Sequence, residues 1–346
     1  MNKSITNKDI ECILGLYGFN ESFSGQEIYL QNTETDGYVK FIFGVTLESG
    51  KKLVIKLLRE GKDLVKERQK MENQSAFSEF MRGHGISTPA HYPSNGAYCA
   101  TYEFHGTPCN VTVEDWCGEE ITEITTETAC EIGALMARMH TCSLENQCEI
   151  GTGTLFCAAY WNDVDAFPEF CEITKDARFD QAAVERIKMI REEKLERIRA
   201  AWETLPKAAV QGDVSINNLT RGAHGLTIFD YNNAGNEVLV SDLVMEGLLT
   251  AYEMDLPEGV SESCRETLFP SFLKGYLSVR TLTNAECAVA WDVYTLYHGL
   301  WFTRIVYSKN SLDLLVKKND LVAANRLLSQ MLADMTEEDD GRFRGE

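Results

Sequence analysis

The spacing of apolar residues changes character several times along the chain. Residues 1–20 set Ile10, Ile13, Leu14 and Tyr17 on one helical face that stops at Gly18, which predicts an amphipathic helix. From Ser24 to Leu58 the period shortens to two. The runs QEIYLQNT, YVKFIFGVTL and KKLVIKLL are separated by turn signals at Thr35-Asp36-Gly37 and Glu48-Ser49-Gly50, which predicts three antiparallel strands. Lys62 to His84 reads as a helix that stops at Gly85. Tyr98 to Phe104 and Cys109 to Trp116 then supply two more strands and complete a five-stranded sheet. Beyond them the pattern is mainly helical. Thr126 to His140 follows a Thr126 cap, Gln181 to Leu205 carries an apolar stripe from Val184 to Trp202, and helical spacing dominates from Ser261 to Met335.

One strand-like stretch interrupts the helical half. From Ala208 to Gly235 the sequence AAVQGDVSINNLTRGAHGLTIFDYNNAG reads as a short strand, a polar loop, a turn at Gly222 to Gly225 and a returning strand that ends at Asp230. The layout returns Asp230 toward Asp213 and Asn218 on the loop. Phosphoryl transfer uses such a set: a carboxylate to take the attacking hydroxyl's proton, and hard oxygen ligands for Mg²⁺. The Asp-x-x-x-x-Asn spacing followed by a later Asp is that of kinases, with Asp213 as base and Asn218 and Asp230 on the metal. The competing reading makes Asp213 and Asn218 ordinary turn formers and Asp230 a strand-end cap. Upstream, the lysine of VIKLL interrupts an apolar strand. Lys56 therefore needs an anionic partner, unless it snorkels from an edge.

QGDVSINNL followed by TIFDYNNAG resembles the HGDxxxxN and IDF(D/E)xAG signatures of the aminoglycoside phosphotransferase and choline kinase superfamily, small-molecule relatives of protein kinases. The likeness extends less strongly over most of the chain. Two positions depart from it: Gln211 stands where the family usually has His, and Asn232 replaces a frequent second acid. The resemblance implies that Lys56 fixes the nucleotide α/β-phosphates and pairs with a glutamate of the next helix. Glu67, Glu72 and Glu79 are candidates, and Glu72 has the family-like offset. It also implies phosphate cover from the turn Asn20 to Gly25, through Ser24, in place of a glycine-rich loop. VTVEDWCGEEI resembles the hinge, where Glu114, Asp115 and Trp116 would meet adenine; a plain strand exit competes with that reading. Asp242 sits where the family braces its catalytic loop, with a helix cap as its other role. His140 ends an IGxxxAxxH-like helix as a structural hydrogen-bonder. The aromatic segment 152–170 falls where the family faces its substrate. Tyr294, Tyr297, Trp301 and Tyr307 form a stripe that is either core or cleft lining.

Composition narrows the picture further. A hydrophobic content of 44% over 346 residues supports two packed lobes. No apolar run reaches membrane-spanning length, and the N-terminus lacks a signal-peptide layout, so a soluble cytoplasmic protein is expected. Eleven scattered cysteines without zinc spacing read as small buried hydrophobes in a reducing compartment; Cys117, beside Trp116, is the candidate for reactivity. The formal net charge of −20 argues against nucleic-acid binding and fits either solubility or a cationic substrate.

The expectation is a two-lobed, protein-kinase-like α+β fold, with residues 1–113 as an antiparallel N-lobe and 114–346 as a helical C-lobe. Its activity would be transfer of phosphate from ATP or GTP, with Mg²⁺, to a hydroxyl of a small molecule such as an aminoglycoside, choline, homoserine or a sugar-like alcohol. The protein would act as a monomer or homodimer. Two rivals stand beside it. One is a nucleotide-binding regulator of the same fold, which Gln211 and Asn232 favour. The other is a protein kinase, against which no A-P-E segment follows Asp230.

Overall fold

Apolar alternation and helical spacing resolve into 11 α-helices and 9 strands among the residues that the computed structural model describes: 4–33, 38–151, 166–222, 225–251 and 264–344. In order, these begin with α1 (Asn7–Leu16), β1 (Phe23–Asn32), β2 (Val39–Leu47), β3 (Lys52–Arg59), α2 (Leu64–Gly83), β4 (Ala100–Phe104) and β5 (Thr107–Asp115). Next come α3 (Thr126–Glu145), α4 (Phe167–Ile173), α5 (Gln181–Ala201), β6 (Lys207–Val210), β7 (Leu219–Gly222), β8 (Gly225–Ile228) and β9 (Gly235–Val238). The remainder is helical: α6 (Leu239–Thr250), α7 (Cys264–Leu277), α8 (Asn284–Gly299), α9 (Phe302–Ile305), α10 (Leu312–Lys317) and α11 (Leu321–Met335). The chain divides into two units. The first comprises Met1–Glu120 with Asn218–Asn232; the second comprises Ile121–Asn217 with Asn233–Glu346.

In the first unit the sheet order is β1-β2-β3-β5-β4, antiparallel throughout. Period-two alternation separates its faces. Phe41, Phe43, Ile55, Leu57, Val111 and Val113 point to one face, where Ile10, Ile13 and Leu14 of α1 complete the core. The residues between them, including Lys56, Thr112 and Glu114, belong to the opposite face, because Ile55 faces Val113 and Lys56 faces Thr112 in the ladder. The β7–β8 hairpin is part of this unit. Thr220 bridges Glu120 and donates its hydroxyl to Cys117 O at 3.0 Å, and Ile228 N–H donates to Ser87 O at 3.0 Å.

The second unit is built on helix packing. Helices α3 and α7 cross at backbone contact: a Cβ on Gly133 would lie 1.9 Å from Phe272 O, and one on Gly275 would lie 1.9 Å from Cys130 O. Only glycine permits that approach. Every residue of α6 is buried, as expected of a helix apolar nearly all round. The α3 cap is Thr125, one residue before the expected position, because its hydroxyl is the one that accepts from Thr128 N–H. Tyr294, Tyr297 and Trp301 are buried, so most of the aromatic stripe is core, whereas Tyr307 is 86% exposed.

The architecture is the two-lobed, protein-kinase-like α+β fold. Among the described residues no helix is long and apolar enough to cross a membrane.

Candidate active site

Lys56 occupies the centre of the sheet, flanked by β2 and β5, and only 6% of it reaches solvent. A buried ammonium must be compensated, and two carboxylates do so. Nζ lies 3.2 Å from Glu114 Oε1 and 3.2 Å from Asp230 Oδ1. Burial disfavours the ammonium, but Asp230 and then Glu114 more than offset it, so its pKa sits above the ordinary lysine value. Glu114 reaches Lys56 because it is two residues beyond Thr112, the ladder partner of Lys56, on the same strand face. Its other oxygen lies 3.6 Å from His91 Nε2. Burial pushes the His91 pKa below its ordinary value, against the pull of Glu114.

Asp230 lies two residues beyond β8 and adopts φ 54°, a left-handed conformation that Asp tolerates better than most residues. Its Oδ1 also accepts the Asn232 N–H at 3.3 Å, an Asx-type turn that aims the carboxylate. Gln74 of α2 anchors this turn by donating to Asn232 O at 2.6 Å, and Tyr231 packs edge-on against Phe77. Asn218 is buried, and its carbonyl accepts the Phe229 N–H at 3.0 Å. The residue before Asp230 is thus paired with Asn218 across the hairpin. A small cavity of about 10 Å³ beside Lys56 is lined by Met71, Gln74, Ser75, His91, Thr112, Glu114, Tyr231 and Asn232, a volume near that of one water.

The helix α2 glutamates are engaged elsewhere. Glu72 accepts the N–H groups of Tyr98 at 3.0 Å and Cys99 at 2.7 Å. Glu67 accepts from Glu60 N and Asn110, and Glu79 pairs with Arg82 and the His91 N–H. The glutamate beside Lys56 therefore comes from strand β5 rather than helix α2. Two amides of the expected hinge are paired within the protein. Asp115 N–H donates to Ala90 O at 2.8 Å and Trp116 N–H to Lys52 O at 3.1 Å, so neither amide is directed at a ligand. The Asp115 carboxylate accepts from Tyr92 OH, and the Trp116 ring lies under the Lys52 ammonium at 4.3 Å. Ser24 lies inside β1 rather than in a turn, and its hydroxyl donates to Thr46 O at 3.3 Å. The Cys117 thiol is pushed up to about 12, by burial and then by Glu114, which leaves it a poor nucleophile. The 152–165 part of the expected substrate-facing segment and the Thr35-Asp36-Gly37 turn lie outside the described residues.

In the second unit, Asp213 stands on the loop after β6, next to Gly212 at φ 77°. Its N–H donates to Gln211 Oε1 at 2.8 Å, and Asn233 Nδ2 donates to its Oδ2 at 3.0 Å. Gln211 thus braces the loop. Val214 N–H donates to Glu246 Oε2 at 2.6 Å. Asp242 does not contact this loop by hydrogen bond: it lies 2.9 Å from His140 Nε2, while His140 Nδ1 lies 2.8 Å from Tyr276 OH. His140 is structural, as expected, and Glu246, one helical turn after Asp242, braces the loop instead. Sequence reasoning passed over Glu246, although a lone acid within LVMEGLL signals a buried polar role.

No family model and no curated protein matches the sequence. Solved structures of the same fold do. An amicoumacin kinase, hAmiN, in complex with AMP-PNP, Ca²⁺ and Ami is 14% identical, with 98% of this chain and 97% of that one covered at a TM-score of 0.61. A microcompartment-associated aminopropanol kinase is 15% identical, with 94% of each chain covered at 0.57. An aminoglycoside phosphotransferase from Alicyclobacillus acidocaldarius is 13% identical, with 89% of this chain and 92% of that one covered at 0.51. The chain shares the fold of small-molecule kinases and phosphotransferases.

Proposed function

We propose that this chain is a phosphotransferase that moves the terminal phosphoryl group of ATP, or of GTP, to a hydroxyl of a small-molecule alcohol. The carrying observation is the Lys56 ammonium, buried in an apolar strand and set 3.2 Å from both Glu114 and Asp230. A sheet core gains little from such a group, since a buried ion pair is weak support for stability. A nucleotide site, in contrast, needs a fixed cation for its phosphates and an acid beside it. Asp230 is held in an uncommon backbone conformation by its own turn, and such conformations cluster at functional sites.

The donor set fits Mg²⁺. The Asn218 amide and the Asp230 carboxylate are hard oxygen donors on neighbouring hairpin residues, and Mg²⁺ is commonly held by one or two carboxylates together with substrate phosphates. When bound, the ion supplies charge neutralisation at the phosphates. Lys56 fixes the phosphates, and Glu114 holds its ammonium from the next strand. Asp213, oriented by Asn233 and Gln211, accepts the proton of the acceptor hydroxyl at its carboxylate. General base catalysis of this kind contributes about 10²- to 10⁴-fold. The formal net charge of −20 favours a cationic acceptor such as an amino alcohol.

D213A tests the reading. It is expected to abolish turnover while Mg-ATP binding, followed by calorimetry, persists; a fully active D213A protein refutes the base assignment. A thermal-shift screen of amino alcohols, sugars and aminoglycosides with Mg-ATP would identify the acceptor class.

A further inference from the structure

Glu246 sits wholly inside the second unit. None of its surface reaches solvent. Oε2 accepts the Val214 N–H at 2.6 Å, and Oε1 has no hydrogen-bond partner among the described residues. The charged groups that face it are carboxylates: Asp242, one turn earlier on α6, and Asp213 on the loop. Asp242 in turn contacts His140, which meets Tyr276. An ionised Glu246 would be desolvated and repelled by two like charges, with one amide in compensation. A neutral carboxyl group keeps the same bond to Val214 without that penalty.

We infer that Glu246 is a positioning residue for the Asp213 loop and works as an uncharged carboxylic acid, fixing the backbone of the residue after the proposed base from its buried side. The catalytic consequence rests on the role proposed for Asp213; the bond and the protonation state do not. Burial first, then Asp242 and Asp213, raise the pKa of Glu246 well above the ordinary 4.5, and the Val214 N–H opposes them. The sign for stability follows. In the unfolded chain this carboxyl ionises above its ordinary pKa, while in the folded protein it keeps its proton, so its contribution to stability declines as pH rises from there toward the folded pKa.

The test uses the full chain as wild type, E246Q and E246L, with urea unfolding and amide hydrogen exchange between about pH 5 and about pH 8, a range above the unfolded pKa of a glutamate. E246Q mimics the neutral acid. Its unfolding midpoint is expected to match or exceed that of wild type, with a gap that widens in its favour as pH rises. Residues 211–217 should keep their exchange protection in E246Q and lose it in E246L beyond any global change. A gap that widens against E246Q with rising pH would overturn the neutral state, and unchanged loop protection in E246L would overturn the positioning role. If E246L does not fold, the pH course of E246Q decides. In turnover assays E246L should lose up to about 100-fold in kcat with KM for ATP unchanged, the scale of an ångström-sized misplacement. A wild type without turnover would sink the proposed function, leaving the unfolding and exchange results to judge Glu246.

Discussion

Replacing Glu114 by glutamine separates a strand-borne partner for Lys56 from a helix-borne one. E114Q preserves the side-chain shape and an acceptor oxygen, and removes one of the two charges 3.2 Å from Nζ; Asp230 remains at 3.2 Å. E114Q keeps a hydrogen bond to the charged ammonium and removes the attraction between two full charges, so the lysine loses on the order of 1–2 kcal/mol of fixation. If Lys56 holds nucleotide phosphate, that loss weakens Mg-ATP binding by roughly fivefold to thirtyfold. E72Q is the control, because Glu72 serves the amides of Tyr98 and Cys99. It is expected to lower the unfolding midpoint and leave the nucleotide Kd in place. Isothermal titration of both variants with Mg-ATP gives the answer without knowledge of the acceptor. A Kd raised by E72Q and untouched by E114Q would refute the strand-borne pairing.

Other expectations follow from the same geometry. G133A places a methyl group within 1.9 Å of Phe272 O and should cost about 1–3 kcal/mol or more, read as a lower melting temperature; an unchanged melting temperature would contradict the close α3–α7 crossing. Y17F removes the hydroxyl whose single proton lies between Val111 O and Tyr98 O and whose oxygen accepts from Ala100 N–H, a loss of about 1–3 kcal/mol in urea unfolding. Cys117, with its raised thiol pKa, should resist iodoacetamide at neutral pH while exposed Cys12 is alkylated, as peptide mass spectrometry would show; stoichiometric labelling of Cys117 first would reverse the assignment. Asp334 has its pKa lowered below the ordinary 3.8: burial raises it, but His298 and Arg304 outweigh burial. Its stabilising contribution is present above that ordinary value and lost as pH falls toward the folded pKa. In acid unfolding, D334N should show a shallower loss of stability over that window than wild type.

Much of the first unit could be read from the letters, because strand alternation is local. KKLVIKLL placed Lys56 on a strand, and TIFD placed Asp230 at the end of another; the fold brings the two to 3.2 Å. The partner of Lys56 could not be read the same way. Three helix glutamates offered plausible spacing, and the choice among them depended on which face of α2 meets the sheet. In the ladder, by contrast, Lys56 opposite Thr112 leaves Glu114 on the same face, a relation visible only once the register of two distant strands is known. The hinge amides were obscured for a related reason, since the carbonyls that take them, Ala90 and Lys52, are far from Asp115 and Trp116 in the chain. Glu246 was legible in kind, as an acid in an apolar helix, and its contact with Val214 was not, because it joins residues 32 apart.

The interleaving of the two units bears on how the protein is made. The first unit is contributed by residues up to Glu120 and again by Asn218–Asn232, so a ribosome must translate the 97 residues from Ile121 to Asn217 before Asp230 can join Lys56. Until then the nascent sheet carries a buried lysine with Glu114 as its sole carboxylate neighbour of the eventual pair. A fragment ending at Glu120 would share that defect permanently, and vectorial synthesis alone cannot finish the N-terminal half first.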